Sequence, residues 1–475
     1  MSKTGGNKDL GIYNKIWMKI LVVVVWIMLW QLIAAAVNNT MLIAGPVQVI
    51  LKFGEKEFLN VFVKALFCSY LRIMAGLLLS FLIAYFLAFA AFDFPFVKLL
   101  LNPFVCAVKS VPVAAVTVMF LIWFGADNLS LYITFMVVFP PVYIGMLTGF
   151  ESAPEDMLEM AKAYGISKRN CYRFIYRQSY LPQLKSSLKV CIGMCFKSGI
   201  AAELIGLPKN SIGTGIYQNK IVFDTAGILA YTIAVIAVSY CTEIIILKLL
   251  DGFRYEISRG TLQNVIGNEK TASEKSVDDD ARIHSVEHLI VGYENENVKC
   301  RIVTDFSYDF SEGGIYAVTG ESGSGKSSLM KCIGRNLKCD VSFLFQENRL
   351  IMDLSAINNL LIVPSAYSEE ELRDMICNLI DETAVNKKTS ELSGGMQRRL
   401  AIIRCMIMKS QVYILDEPFA GLDVENRERT MDFILKMQQN MTLIIATHDV
   451  SDVPCNNVTE IRMEELERKN GNKNG

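Results

Sequence analysis

The sequence is poor in charge and in histidine. Of its 475 residues only 20% are Asp, Glu, Lys or Arg, against 52% hydrophobic, and the formal net charge is -1. Such a near-neutral chain has no electrostatic footprint for nucleic acid, so no nucleic-acid partner is expected. The 12 cysteines are scattered, form no Cys-x-x-Cys pair and do not cluster with the 3 histidines. This spacing argues against a structural zinc site and against a disulfide framework.

Long apolar runs fill the first half of the chain. Six segments approach the roughly 20 residues that a helix needs to cross a bilayer. They are 18–37, 70–92, 108–124, 130–150, 186–206 and 226–250. The first follows a basic N-terminus, as a secretory signal would, but its length and the lack of a cleavage site favour a retained helix. The sequence predicts an all-α polytopic membrane domain of about six helices over 1–254, surrounded by membrane lipid.

The densest basic loop of the membrane half lies at about 151–185, between the fourth and fifth segments. Its cations are Lys162, Lys168, Arg169, Arg173, Arg177 and Lys185. Because cytoplasmic loops carry an excess of Lys and Arg, this loop is expected inside, with both ends of the membrane domain. The predicted location is the cytoplasmic membrane, with the second half of the chain on the cytoplasmic side.

The composition changes after the last apolar segment. Residues 255–283 are polar, include the run Asp278-Asp279-Asp280, and read as a solvated linker. From 284 to 475, short β-rich runs at 314–318, 341–345, 412–415 and 442–446 alternate with helical patterns. That alternation predicts an α/β domain with a largely parallel sheet.

The strongest chemical signal follows the first of those four strands. Gly320, Glu321, Ser322, Gly323, Ser324, Gly325, Lys326, Ser327 and Ser328 form a Gly-x4-Gly-Lys-Ser phosphate-binding loop that opens a helix. Its backbone amides and the helix N-terminus favour anionic phosphates. We expect Lys326 to reach the β- and γ-phosphates of a nucleotide and the Ser327 hydroxyl to bind Mg²⁺. A second apolar strand ends at Asp416 and Glu417, which we expect to hold Mg²⁺ and to polarise the attacking water, respectively.

Between these motifs lies Leu392-Ser393-Gly394-Gly395-Met396-Gln397, which resembles the signature of the ATP-binding cassette (ABC) ATPases. In the same order, Gln346 resembles the Q-loop glutamine, Asp423 the D-loop aspartate and His448 the switch histidine. Tyr293 resembles the aromatic residue that stacks on adenine, although a core position would also suit a tyrosine. The resemblance extends over 284–453.

The resemblance implies a P-loop NTPase fold, ATP and Mg²⁺ as ligands, and a role for each matched residue. Glu417 would be the general base, His448 would contact the γ-phosphate, and Gln346 would link Mg²⁺ and water to the membrane domain. Ser393 and Gly395 would close over ATP held by a second copy of the chain, so a homodimer is implied. The ATP-binding residues implied by the resemblance also include Gly394, Gln397 and Asp423. One departure is the short stretch of about 20 residues from Lys326 to Gln346.

The basic loop contains Glu159-Met-Ala161-Lys-Ala-Tyr-Gly165, which resembles the EAA motif of ABC importer permeases. In that family the motif forms a coupling helix beside the Q-loop. Trp123-Phe124-Gly125, Ala202-Glu203 and Ile212-Gly213-Thr214-Gly215 resemble the nitrate/sulfonate/taurine-type permeases, where permease and ATPase are usually separate subunits. This resemblance implies an extracytoplasmic solute-binding protein as a partner.

The sequence thus predicts ATP-driven import of a small solute, with an ABC exporter and a non-transport membrane ATPase as alternatives. Lys197 falls near the middle of the fifth apolar segment, where an unpaired charge is costly. Two interpretations stay open: it faces the translocation path and favours an anionic solute, or it snorkels or pairs within the helices.

Overall fold

The computed structural model describes residues 16–252, 283–295 and 298–466. These residues form two compact units. A helical unit consists of 16–152 and 178–252, and an α/β unit consists of 153–177, 283–295 and 298–466. The basic loop of the membrane half therefore packs with the α/β unit. The predicted linker lies outside the described residues except for residue 283.

Nine helices make up the described part of the helical unit. They are α1 (Ile16–Val37), α2 (Pro46–Lys52), α3 (Lys56–Asp93), α4 (Pro95–Ser110), α5 (Val113–Phe124), α6 (Leu129–Glu151), α8 (Arg177–Gly206), α9 (Ile212–Ile221) and α10 (Thr225–Gly252). Helices α3 and α6 share the largest interface in this unit. Gly76 makes that approach possible, since a Cβ there would lie 2.6 Å from the Leu131 carbonyl oxygen.

Length and hydropathy identify four helices that could cross a membrane, within α1, α3, α6 and α10, or five if α4 and α5 form one bent span. The prediction of one helix at 108–124 is wrong, because α4 and α5 meet at 102°. Pro112 cannot continue the helix and holds Val111 in an extended conformation with ψ 133°. The segment 186–206 is helical within α8, but Lys189, Lys197 and Glu203 make it less apolar than those four helices. The described residues thus contain four or five candidate spans rather than six.

The α/β unit is built on a parallel sheet of five strands in the order β4-β5-β6-β3-β7. The strands are β3 (Ile315–Thr319), β4 (Val341–Leu344), β5 (Val412–Asp416), β6 (Thr442–Thr447) and β7 (Val458–Arg462). An antiparallel pair, β1 (Ile283–Asn295) and β2 (Val298–Ser311), precedes it. Its α-helices of six residues or more are α7 (Glu155–Ala163), α11 (Lys326–Asn336), α12 (Ala356–Leu361), α13 (Glu369–Leu379), α14 (Gly394–Met406) and α15 (Val424–Gln438).

The predicted fold class, a helical membrane domain joined to an α/β domain with a parallel sheet, is confirmed. Every residue of β5 and β6 is buried, as expected for central strands covered on both faces. The stretch from Lys326 to Gln346 is short because α11 reaches β4 through residues 337–340 alone. Because β3, β4, β5 and β6 run parallel, their carboxyl ends meet at one edge of the sheet.

Glu203 joins four elements of the helical unit. Its carboxylate, which is fully buried, accepts a 2.6 Å hydrogen bond from Ser69 Oγ of α3 and a 3.3 Å bond from Ser130 Oγ of α6. The backbone amide of Gly213 in α9 lies 3.4 Å from it, and Arg72 Nη1 lies 3.6 Å away. These contacts satisfy the buried charge, which would otherwise strongly oppose folding.

Replacing Glu203 by leucine should therefore destabilise the helical unit by about 3–5 kcal/mol, because Arg72 and both serines lose their partner. The measurement is the thermal unfolding temperature of the purified chain in detergent. Glu151→Gln is the matched control, since its ion pair with Lys98 is exposed and worth about 1 kcal/mol or less. Equal unfolding temperatures for the two variants would contradict a structural role for Glu203.

Candidate functional site

The phosphate-binding loop connects β3 to α11 at the carboxyl edge of the sheet. Gly323 and Gly325 have φ of 85° and 88°, a left-handed conformation that glycine adopts without strain. Gly325 is the N-cap of α11, so the loop amides and the helix N-terminus create an anion site together. Lys326 is buried, and its Nζ donates to the carbonyl oxygens of Gly320 at 2.6 Å and Glu321 at 2.8 Å. Ser324 Oγ is buried without a hydrogen-bond partner among the described residues.

Asp416 ends β5, the strand separated from the loop strand β3 by β6 alone. Burial raises the pKa of its carboxyl, and hydrogen bonding to the Ser327 side chain opposes that shift. Its Oδ1 atom is buried and has no hydrogen-bond partner in the described part of the chain. A buried carboxylate oxygen without a partner, close to a serine hydroxyl, suits a hard divalent cation such as Mg²⁺.

Glu417 follows directly and has a strained backbone with φ 49°. A hydrogen bond from its backbone amide to the Ala446 carbonyl, at 2.9 Å, holds that conformation. Gln346 Nε2 donates to Glu417 Oε2 at 3.4 Å, and His448 Nε2 lies 3.5 Å from Oε1. Gln346 and His448, from two other loops, thus meet at the Glu417 carboxylate, which borders a small cavity of about 90 Å³.

The signature loop caps α14. Ser393 Oγ accepts a hydrogen bond from the Met396 amide, and Gly394 leaves open space around its Cα. Gln397 turns inward, because its Nε2 donates to the carbonyl oxygens of Thr389 and Leu392 at 3.0 and 3.1 Å. Asp423 caps α15 by accepting from the Asn426 amide at 3.1 Å. Tyr293 lies in β1, but its side chain falls outside what the structure describes.

Arg398 is a residue that the sequence analysis missed. Its buried guanidinium donates to the carbonyl oxygens of Phe345 and Gln346 at 2.8 and 3.0 Å, and to those of Asp416, Glu417 and Pro418. One planar cation therefore fastens the loop after β4 to the loop after β5. The one signal for this role in the sequence was that Arg398 follows the signature directly, on a helix that the structure shows to be largely buried.

Helix α7 of the basic loop docks on the same loop through charge. Glu159 accepts from Arg349 Nη1 at 2.8 Å and from Arg335 Nη2 at 3.3 Å, and Lys331 Nζ lies 3.5 Å away. Burial alone would raise the pKa of Glu159, but the Arg349 hydrogen bond and the Lys331 charge outweigh it, so the pKa is lowered. Asp156 adds a second contact to Arg349 at 3.2 Å.

A buried aromatic contact supports this docking. Tyr164 is fully buried and donates its hydroxyl to the Phe343 carbonyl at 2.9 Å, while the Arg404 guanidinium lies 4.8 Å from its ring centre. Arg404 also donates to the carbonyl oxygen of Arg349 at 2.9 Å. Ala161 is buried in the same core, and Gly165 has φ 62° at the end of the helix. The segment is thus an integral part of the α/β unit.

Comparison with known proteins decides the family. Residues 303–420 match the family model described as ABC transporter, and residues 70–254 match that of the binding-protein-dependent transport system inner membrane component. The ergothioneine transport ATP-binding protein EgtV of Helicobacter pylori (strain G27) is 30% identical over 196 residues, covering 35% of this chain and 90% of that protein. The chain belongs to the ABC transporter family.

Two further relatives are of interest for this ABC transporter. The aliphatic sulfonates import ATP-binding protein SsuB of Delftia acidovorans is 30% identical over 169 residues, covering 32% of this chain and 69% of that protein. Among solved structures, the dimeric ATP-binding cassette MJ0796, in a post-hydrolysis state with ADP and Pi, has 24% identity and a TM-score of 0.32, covering 36% of this chain and 90% of that one.

The family assignment confirms the predicted enzyme class. The α/β unit is an ABC ATPase cassette that binds ATP and hydrolyses it in support of transport, and the helical unit belongs to an integral membrane permease of the import type. Permease and cassette lie in one polypeptide. The roles of single residues remain predictions.

Replacing Arg398 by lysine should lower kcat for ATP hydrolysis about tenfold and leave KM for ATP unchanged, since one ammonium cannot bridge the two loops. Steady-state ATPase assays of the purified transporter provide the measurement. Arg373→Lys is the control, because that arginine makes an ordinary intrahelical pair with Glu369. A raised KM at full kcat would contradict a positioning role for Arg398.

Proposed function

We propose that this ABC transporter imports a small anionic solute of the nitrate, sulfonate or taurine class across the cytoplasmic membrane. The observation that carries the proposal is the docked segment 153–177, whose import-type motif places Glu159 on Arg349, three residues after Gln346. The segment is covalently joined at both ends to apolar helices, so a movement of its docking surface can reach the permease. The cassette lies on the cytoplasmic side in this proposal, as the basic loop predicts.

Glu417 is the proposed general base, oriented by Gln346 and His448. Asp416 and Ser327 are the proposed Mg²⁺ ligands, supported by the buried Asp416 oxygen that lacks a partner in the described residues. The cation would neutralise charge on the phosphate oxygens. Lys326 and the loop amides hold those phosphates, so catalysis rests on positioning and charge stabilisation.

The proposed assembly is a homodimer that receives its solute from an extracytoplasmic binding protein. Ser393 and Gly395 of one copy would close over ATP on the phosphate-binding loop of the other. Support comes from the complete motif set in one chain and from the open space beside Gly394. The SsuB relative is named for aliphatic sulfonate import, which supports the sulfonate option.

Uptake in right-side-out membrane vesicles tests the proposal. With ATP loaded in the lumen and osmotic-shock fluid supplied as the source of binding protein, we expect ATP-dependent entry of radiolabelled butanesulfonate. Glu417→Gln should abolish entry while ATP binding persists, because the general base is lost but the phosphate-binding loop is intact. Glu425→Gln, an exposed glutamate of α15, is the control.

The direction of transport separates the alternatives. Solute movement out of the vesicles with luminal ATP would identify an exporter, and ATP hydrolysis without solute movement would favour a mechanochemical ATPase. Either outcome would overturn the proposed import.

A charge reversal tests the docking contact. Glu159→Arg should cut ATP-dependent uptake at least tenfold, because it repels Arg349, Arg335 and Lys331. Glu155→Arg, in the first turn of the same helix, is the control. Measurements should be made near pH 7. Because the pKa of Glu159 is lowered in the folded state, its contribution to docking is fully present above the unfolded pKa of about 4.3 and is lost as the pH falls through the lower folded-state pKa. Normal uptake by Glu159→Arg would show that this ion pair does not couple the domains.

A further inference from the structure

The helical unit contains a cavity of about 480 Å³ that no motif or relative assigns. It lies where the bend between α4 and α5 faces α6 and the first half of α8. Its volume falls within the range of sites for small molecules. The two helices α6 and α8 approach closely beside it, since a Cβ on Gly145 would lie 2.1 Å from Ser187 Oγ.

The cavity wall carries one charge. Among the described residues that line the cavity, Lys109 is the only one with a charged side chain. No ion pair joins Lys109 to a carboxylate within the described residues. Three neutral polar side chains, Thr148, Gln183 and Ser187, complete its polar lining. Lys197 is exposed but does not line the cavity, so the cation suggested by the sequence is not the one placed there.

The backbone of α6 adds hydrogen-bond acceptors. Pro140 and Pro141 lie inside this helix and have no amide hydrogen, so the carbonyl oxygens of Met136 and Val137 lack their usual helical donors. All four residues line the cavity. Two adjacent carbonyls without a helical partner in an apolar wall favour a ligand that brings its own donor.

We propose that this cavity binds the transported solute, and that the solute is a small organic monoanion carrying a separate hydrogen-bond donor. Lys109 pairs with the anionic head, and the Met136 and Val137 carbonyls accept from the donor. The apolar remainder of the wall, which includes Ile144 and Met194, packs on a short aliphatic spacer. The assignment of this ligand as cargo rests on the proposed import function, whereas the binding site itself does not require transport.

Equilibrium binding to the full-length transporter in nanodiscs, without ATP or binding protein, tests the site. The probes have similar size: hydroxypropanesulfonate is a monoanion with a hydroxyl donor, butanesulfonate is a monoanion without a donor, and butylammonium is a cation. We expect affinity to fall in that order. Lys109→Gln should weaken both sulfonates at least tenfold, Lys109→Arg should restore binding, and Lys197→Gln should bind as the wild type does.

A second variant tests the carbonyls independently. Pro140→Ala supplies an amide donor to the Met136 carbonyl, so the preference for hydroxypropanesulfonate over butanesulfonate should shrink severalfold, even if Lys109→Gln fails to accumulate. Three results would overturn the site. They are butylammonium binding as tightly as the sulfonates, unchanged sulfonate affinity in Lys109→Gln, and loss of sulfonate binding in Lys197→Gln. Sulfonate binding with the expected variant pattern but without ATP-driven uptake would uphold the site and refute the proposed import.

Discussion

The register of four parallel strands is the constraint on which the cassette depends. Hydrogen bonding aligns β3 with β6, β6 with β5, and β5 with β4, so that four loops leave the sheet at one edge. A shift by one residue would turn every buried side chain of β5 to the opposite face. Because the register holds, the phosphate-binding loop, Asp416, Glu417, Gln346 and His448 share one surface although they are far apart in sequence.

A second layer of contacts passes from this edge to the permease segment, and arginines provide it. Arg398 fastens the loops after β4 and β5, Arg404 fastens the β4 loop to Tyr164, and Arg349 pairs with Glu159. A guanidinium can do this because it presents several donors in a rigid plane and stays charged when buried. The strained backbones of Arg349 and Glu417, with φ 45° and 49°, lie within this network. Hydrogen bonds hold these two strained backbones in place. A small change in how the segment 153–177 docks could therefore move a catalytic group such as Glu417, as a switching element requires.

The helical unit is stabilised by different contacts. Small residues allow close contacts between its long helices, and the buried carboxylate of Glu203 joins four of its elements. Many of its large side chains remain exposed, as expected for helices that face lipid or a second copy. Breaks in helical regularity at Pro112 and at Pro140–Pro141 lie beside the cavity, where free backbone acceptors can serve a ligand instead of destabilising the fold.

The sequence alone determined the elements that depend on local chemistry. These elements are the phosphate-binding loop, the paired acids, the signature and the apolar runs. Each is a short contiguous pattern whose conformation follows from its glycines, its helix caps or its hydrophobicity. Tertiary structure decided the rest. It showed that α4 and α5 bend apart at Pro112, that Gln397 turns inward, and that Arg398 links two loops. It also placed Lys109, and not Lys197, at the cavity. Each of these features depends on contacts between residues that are far apart in the sequence. Such contacts leave no periodic pattern in the sequence from which they could be predicted.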